Sequence, residues 1–347
     1  MDRIRVGVVG AGGNTRLHHI PKLKAQRDVE IVSVCNRSRE SSERVAKEFG
    51  IPKVYADWRE LVAAPDTDAI VIGTWPYLHC AVSLAALDAG KHVMTEARMA
   101  MNAREARLML EGARHHPHLI TQVVPSPFTL RVDRTVQARI AEGYLGDLYA
   151  IELRGGGSAF ANLDGPLHWR HDRDRSGFNI LNMGIWYEAL MRWGGEATRV
   201  LAMTKVCVKA RRDEDGVMRA VPVPDHVEVI ADLACGALAR LQFSAVTGLA
   251  AGAEAWLFGR DGTLRYEQAS QKLFGGRRGD AALQEIPIPA DRAGGWRVEE
   301  EFVNAIRGRE RITHTTFEDG VKYMEFTEAV TRSAQSGQAI ALPLASV

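Results

Sequence analysis

The glycines near the start of the chain have the spacing of a loop that binds a dinucleotide. The loop comprises Gly10, Gly12, Gly13, Asn14 and Thr15, and it follows directly on a short apolar run. Gly10 permits a tight turn and Gly12 lets the backbone approach a pyrophosphate, while the amides of the next helix face the negative charge. Thr15 occupies the place of a usual third glycine. The pattern predicts a strand, a phosphate-binding turn and a helix.

The end of the second predicted strand indicates which nucleotide is bound. NAD-binding proteins carry an acidic residue there, which holds the ribose 2′-hydroxyl group. This chain has Asn36 followed by Arg37. Asn36 can bond a hydroxyl group without repelling a 2′-phosphate, and Arg37 can pair with that phosphate. We therefore expect NADP, or tolerance of both NADP and NAD. The alternative is that Arg37 and Arg39 only belong to a solvated helix start.

Polar and aromatic side chains follow the fourth predicted strand. Thr74, Trp75 and Pro76 leave its carboxyl end, where open α/β sheets bind ligands, and His79 opens the next helix. On residue type alone, His79 is more often an ordinary histidine on a helix face than a ligand-binding group.

These residues require a parallel sheet to position them. Apolar strands alternate with helix patterns from the first residues to about Val124, which predicts a doubly wound parallel sheet, a Rossmann domain over residues 1–125. Pro125 and Pro127 then predict a hinge. We expect a second α/β domain over 126–347, in which a buried helix at 178–193 packs on an open, mostly antiparallel sheet.

Composition excludes several classes of function. The chain has 347 residues, and 44 basic side chains balance 43 acidic ones, so no nucleic-acid or membrane partner is expected. Four scattered cysteines fit a reducing compartment. The absence of a signal-peptide pattern or a long apolar run predicts a cytoplasmic protein.

Several motifs, in this order, resemble those of the glucose-fructose oxidoreductase/inositol dehydrogenase (Gfo/Idh/MocA) family across essentially the whole chain. They are the glycine loop with His18 and Pro21, then 74–79, 90–96, 143–146 and 176–184. The resemblance implies a Rossmann domain, a C-terminal domain with an open sheet, and dimers or tetramers formed through that sheet. It implies NAD(P)-dependent oxidation or reduction of a secondary alcohol or carbonyl on sugars, inositols or related polyols. It also implies that Thr74, Trp75 and Pro76 line the nicotinamide side, and that His79 and Glu96 belong to the cofactor site.

The usual acid–base groups of the family are replaced in this chain. The resemblance places a lysine at Ala97, and an aspartate and a histidine at Asn182 and Trp186. Neither Asn182 nor Trp186 exchanges a proton at neutral pH.

Other groups could take over the chemistry. Arg98 suits an oxyanion, Tyr187 lies on the buried helix, and His171 belongs to a charged loop at 168–175. We expect His171 to be the general acid or base, because imidazole titrates near neutrality. The loop could instead be a salt-bridged lid or a subunit contact. His168 and His171 lack a third ligand at suitable spacing, so no metal site is expected.

Two functions follow from these observations. The first is an NAD(P)-dependent oxidoreductase of a sugar, inositol or related polyol, with relocated acid–base groups. The alternative is a protein that retains the nucleotide without ordinary dehydrogenase turnover, such as a lyase, a hydrolase-like enzyme or a ligand-responsive binder.

Overall fold

The computed structural model describes residues 3–345, and the chain divides into two compact units. The first unit comprises residues 1–125 and 297–321, and the second comprises 126–296 and 322–347. The predicted division into 1–125 and 126–347 did not anticipate that segment 297–321 groups with the first unit. Residues 1–2 and 346–347 of the predicted domains lie outside the described residues.

The first unit is built on a six-stranded parallel sheet in the order β3-β2-β1-β4-β5-β6. Its strands are apolar because helices cover both faces of such a sheet. Strand β4, for example, is buried at every position. Chain order reverses between β1 and β4, which is the edge where ligands bind in such sheets. The strands are β1 Ile4–Val9, β2 Val29–Cys35, β3 Lys53–Val54, β4 Ala69–Ile72, β5 His92–Thr95 and β6 Thr121–Val123.

Three of the helices between these strands begin at side-chain caps. Ser38, Asp57 and Asn102 each accept a hydrogen bond from a backbone amide of the following turn. The first helix differs, because a π-helical turn at Thr15–His19 precedes its α-helical part. The helices are α1 Ile20–Lys24, α2 Arg39–Phe49, α3 Trp58–Ala63, α4 Pro76–Asp88 and α5 Ala103–His115.

The second unit contains a nine-stranded sheet in the order β16-β15-β14-β13-β7-β12-β11-β8-β17. The β7–β12 pair is parallel and the other pairs are antiparallel. The predicted fold class is thereby confirmed. The strands are β7 Leu148–Arg154, β8 Ala197–Lys205, β9 Ala210–Arg212, β10 Met218–Ala220, β11 His226–Leu233, β12 Leu238–Ser244, β13 Glu254–Gly259, β14 Gly262–Glu267, β15 Lys272–Arg277, β16 Gln284–Ile286 and β17 Ile340–Ala341.

The remaining helices complete both units: α6 Asp133–Ala141, α7 Arg173–Ser176, α8 Met183–Gly194, α9 Val298–Ile306 and α10 Phe317–Ser336. The predicted buried helix is α8, and it begins at Met183 instead of residue 178. Strands β9 and β10 form a separate hairpin that the sequence did not predict. Within residues 3–345, no helix combines the length and apolar character needed to cross a membrane.

Candidate active site

The glycine-rich loop forms an open cradle at the carboxyl end of β1. Gly10 has φ +86°, and a Cβ there would lie 2.6 Å from the backbone nitrogen of Thr74, so only glycine fits. A Cβ on Gly12 would contact only a carbonyl oxygen at 3.5 Å, and one on Gly13 would meet nothing within 4 Å. The space in front of these two glycines is therefore free to receive a diphosphate.

Thr15 lies where a third glycine is usual. Gly73, the residue directly after β4, leaves the space that the Thr15 side chain needs. Thr15 is buried, and a Cβ on Gly73 would overlap its Oγ1 atom and the carbonyl oxygen of Gly10. The close packing of helix on strand is thus retained with the glycine on the opposite side. Among the described residues, the buried Oγ1 atoms of Thr15 and Thr74 have no hydrogen-bond partner. Both orphaned hydroxyl groups lie beside Gly10 or Gly73, as a polar ligand site would require.

Asn36 braces the loop at the end of β2. Its Oδ1 atom accepts a hydrogen bond from the Ala11 amide at 2.7 Å, and its Nδ2 atom donates to Ser41 Oγ at 3.1 Å. Asn36 is therefore engaged in orienting the loop, a use that sequence reasoning did not foresee. Arg37 is exposed, and its guanidinium lies 6.0 Å from the centroid of the Trp75 ring. A cation and an aromatic face thus flank the end of β2, and the residue directly after that strand is Asn36, which is not acidic.

His79 does not point into an open site. It is fully buried, with Nδ1 2.9 Å from the carbonyl oxygen of Arg98 and Nε2 3.0 Å from that of Thr74. Burial lowers the pKa of His79. His79 lies in the first turn of the helix that starts after Trp75, at the edge of the sheet. From there its ring connects the loop at Thr74 with the loop at Arg98. The expected direct contact of His79 with a cofactor does not fit this position.

Glu96, directly after β5, belongs to a buried charged cluster that we call the Glu96–His19–Glu299 triad. His19 Nε2 lies 2.9 Å from Glu96 Oε1, and His19 Nδ1 lies 2.6 Å from Glu299 Oε1. Asn14 of the glycine loop also donates to Glu96. Burial opposes the charge on His19, but hydrogen bonds to Glu299 and Glu96 outweigh it and raise the pKa of His19 to about 9.

Sequence reasoning missed His19 and Glu299 as site residues. They are 280 positions apart and no local pattern connects them. The available signal was the π-helical turn that ends at His19, since such turns are frequent at functional sites, but it is visible only in the structure.

The replacement groups proposed for the missing lysine fall in different environments. Arg98 follows Ala97 but is only 3% exposed, so its guanidinium does not lie open at the surface of a cleft. Tyr187 is 1% exposed, stacks on Phe326 at 3.7 Å and accepts a hydrogen bond from the Ala197 amide at 2.7 Å. Burial raises the pKa of Tyr187. Tyr187 is a core residue and does not fit the expected catalytic role.

Asn182 and Trp186 are bonded to each other at the start of α8. With its amide oriented to satisfy both neighbours, Asn182 donates to the carbonyl oxygen of Gly155 at 2.9 Å and accepts from Trp186 Nε1 at 3.2 Å. The Trp186 ring is fully buried and lies 4.7 Å from that of Phe128. The two positions therefore close the core of the second unit and offer no group for proton transfer.

His171 lines two cavities of the second unit, one of about 590 Å³ and one of about 150 Å³. The larger lies between the 168–175 loop and the β9–β10 hairpin, and Arg173 and Arg219 also line it. Burial, together with nearby Arg211, lowers the pKa of His171. Its Nδ1 atom accepts a hydrogen bond from the His168 amide at 3.2 Å, so the neutral ring carries its proton on Nε2. His171 is thus a hydrogen-bond donor at neutral pH.

The described residues contain no cluster of three or more histidine, cysteine, aspartate or glutamate side chains arranged to hold a metal ion. The loops of the larger cavity are instead tied by ion pairs, Arg175 with Asp172 at 3.1 Å and Arg219 with Asp213 at 2.8 Å.

Comparisons with known proteins identify both units. Residues 4–123 match the model of an oxidoreductase family with an NAD-binding Rossmann fold, and residues 134–265 match the GFO/IDH/MocA C-terminal domain. A 1,5-anhydro-D-fructose reductase from Ensifer adhaerens is 30% identical over 349 residues, covering 96% of this chain and 97% of that protein. The trans-1,2-dihydrobenzene-1,2-diol dehydrogenase of Bos taurus is 30% identical over 222 residues, covering 63% of this chain and 62% of the dehydrogenase. The match thus spans less than two thirds of that dehydrogenase.

Solved structures share the fold over nearly the whole chain. A levoglucosan dehydrogenase in complex with NADH and L-sorbose has a TM-score of 0.85 at 20% identity, covering 98% of this chain and 99% of the other. An oxidoreductase domain protein from Kribbella flavida has a TM-score of 0.86 at 18% identity, covering 99% of this chain and 100% of the other.

Proposed function

The chain belongs to the Gfo/Idh/MocA family of oxidoreductases, and from this premise we propose that it transfers hydride between NADP or NAD and a sugar, inositol or related polyol. The reacting group would be a secondary alcohol or its carbonyl. The relatives named for an anhydrofructose, a dihydrodiol and levoglucosan support this class of small, oxygen-rich substrate.

The observation that carries the proposal is the open glycine cradle. A dinucleotide fits there because the loop leaves space at Gly12 and Gly13, and two buried hydroxyl groups beside it have no partner in the described chain. Arg37 supports a preference for NADP, since its guanidinium is exposed at the end of β2. The position where NAD-binding proteins carry an acidic residue is occupied by Asn36.

When bound, the nicotinamide would supply the hydride acceptor or donor. The residues of this chain would do the rest: Asn14 and the amides after Gly12 bind phosphate, and Glu96 accepts a hydrogen bond from a ribose hydroxyl group. His79, Thr74 and Trp75 shape the edge of the pocket.

His171 is our candidate for handling the substrate oxygen. A neutral ring with its proton on Nε2 can donate a hydrogen bond to a carbonyl oxygen and stabilise the negative charge that develops there as hydride adds to the carbon. The resulting alkoxide would take its proton from solvent water. The larger cavity is of a size suited to a small polyol, since ligand pockets are typically about 300–1,000 Å³. Its charged lining matches hydroxyl-rich substrates. We propose this role in place of the general acid or base expected from sequence.

His171→Ala should lower kcat by about 10²–10³-fold, the usual cost of removing one such donor. His171→Asn keeps an N–H donor and should retain more of the activity. Steady-state kinetics of the two variants distinguishes the roles. Equal, large losses in both would indicate proton transfer, and unchanged activity in both would remove His171 from the site.

The alternative function is a protein that retains the nucleotide without dehydrogenase turnover, and the observation in its favour is the loss of every usual acid–base group. Ala97, Asn182 and Trp186 cannot transfer a proton, and Trp186 is sealed in the core. Absorbance of the reduced nicotinamide, followed over a panel of polyols and keto-sugars with NADP and NAD, tests both. Turnover on any member supports the oxidoreductase, and nucleotide binding without turnover supports the alternative.

We also propose a homo-dimer or homo-tetramer formed through the sheet of the second unit. Leu201 and Ile230 are paired neighbours on its exposed face, with Met203 beside them, and they are 46%, 50% and 78% exposed. Such adjacent apolar side chains are typical of a protein interface. A second copy of the chain is the occupant that the family resemblance implies.

All four cysteines are free. Free thiols agree with a cytoplasmic location, which stays a prediction.

A further inference from the structure

The Glu96–His19–Glu299 triad has one open end. The side chains of His19 and Glu299 are 1% and 2% exposed, whereas that of Glu96 is 14% exposed. Glu96 lies directly after β5, at the ligand-binding edge of the parallel sheet, and is tied to the glycine loop through Asn14. Its Oε2 atom accepts from the Ala97 amide at 3.2 Å and retains a lone pair for another donor.

The two inner members lie behind Glu96 and come from other segments of the first unit. His19 is the last residue of the π-helical turn that follows the glycine loop, and Glu299 lies on α9, in the segment 297–321 that groups with the first unit. Three separate parts of that unit therefore meet in a single chain of charged hydrogen bonds. Buried charges are costly unless they are paired in this way.

Resting on the proposed function, we propose that His19 and Glu299 are positioning residues, which fix the Glu96 carboxylate as the acceptor for a hydroxyl group of the nicotinamide ribose. In a chain that has Ala97 instead of lysine, the nicotinamide lacks one cationic neighbour. An immobilised Glu96 then holds that half of the dinucleotide. The adenosine half is held elsewhere, by the glycine loop and Arg37, so the triad acts on one half of the ligand.

The charge on His19 gives the arrangement a pH dependence. The groups that face the triad are Lys22 beside Glu299 and His79 beside Glu96. The pKa of His79 is lowered by burial, so it stays neutral. Because the folded pKa of His19 lies above its unfolded value, the ion pairs persist through neutral pH and are lost as pH rises through about 9.

Calorimetric titration of NADPH and of adenosine 2′,5′-bisphosphate, which lacks the nicotinamide ribose, tests the inference. His19→Gln should weaken NADPH binding about tenfold and leave the affinity of the adenosine fragment within about twofold, because only NADPH carries the ribose that the Glu96 carboxylate would bind. His18→Gln, one residue earlier, is the matched control and should change neither affinity.

Glu299→Gln preserves the size of the side chain and removes its charge, so it serves if His19→Gln does not fold. In the wild type, NADPH affinity should fall relative to the fragment as pH rises through about 9, and Glu299→Gln should move that fall to lower pH. Equal weakening of both ligands, or an unchanged pH profile, would overturn the inference and leave the proposed function standing. A wild type that binds neither of these ligands and does not bind NADH would overturn both.

Discussion

At the residue scale, the proposed preference for NADP rests on the presence of Arg37 and on the absence of an acidic residue at position 36. Arg37 is exposed at the end of β2, and its guanidinium lies near Trp75. The residue before it, Asn36, uses its side-chain oxygen to accept a hydrogen bond from the Ala11 amide of the loop. A guanidinium recognises a phosphate through paired hydrogen bonds, and a 2′-hydroxyl group offers it no charge.

Arg37→Ala should therefore weaken NADP binding at least tenfold, about 1.4 kcal/mol, and change NAD binding little. Arg39→Ala is the matched control, because Arg39 is also exposed and is paired with Glu43 at 2.8 Å. Fluorescence or calorimetric titration of both nucleotides measures the difference. If Arg37→Ala affects NAD and NADP alike, Arg37 is only a solvated residue at a helix start.

At the scale of elements, the cradle depends on the turn between β1 and the π-helical turn. Gly12→Val should abolish binding of both nucleotides, since two methyl groups would enter the open space that the diphosphate needs. Gly195→Ala in the second unit is a useful control for glycine substitution, because its φ of +76° strains the backbone but its Cβ meets nothing within 4 Å. Calorimetry reads binding, and thermal unfolding shows whether each variant folds. Unchanged nucleotide affinity in Gly12→Val would remove the loop from the site.

Local periodicity predicted most of the elements but could not predict the start of α8. Helix α2 shows boundary signals that are visible in the sequence, because Ser38 caps it and Gly50 ends it with a left-handed φ. The segment before α8 reads as helical from its apolar residues, yet Leu181 has φ +46° and the Asn179 side chain bonds the Ser176 carbonyl at 2.7 Å. These turn contacts compete with the helix and delay its start.

The β9–β10 hairpin and the triad escaped prediction for different reasons. The hairpin is short and charged, so it lacks alternation, and its turn is held by Asp213, which accepts from the amides of Asp215 and Val217. The Asp-rich sequence ending in Gly216 was the available signal. The triad joins residues that only the fold brings together. Tyr187 lies on the helix that was predicted to be buried, but the sequence does not show that its hydroxyl group is used within the core, where it accepts from the Ala197 amide.

At the scale of the whole molecule, the exposed apolar face of the second sheet predicts self-association. Ile230 is paired with Leu201 on this exposed face. Ile230→Lys should convert the oligomer to monomers, because association would bury an unpaired charge. Leu249→Lys is the control, since Leu249 is 84% exposed and lies outside the strands. Light scattering after size-exclusion chromatography gives the mass. A wild type that is already monomeric would contradict the proposal.

The central claim, hydride transfer without the usual lysine, is tested most directly by isotope transfer. The protein would be incubated with a panel of keto-sugars and with reduced nicotinamide nucleotide that carries deuterium at the transferable position. Mass spectrometry would then measure the deuterium content of each product. We predict one deuterium on the carbon that becomes the secondary alcohol, and no transfer with Gly12→Val. Tight nucleotide binding with no deuterium in any product would contradict the account and favour the non-dehydrogenase alternative.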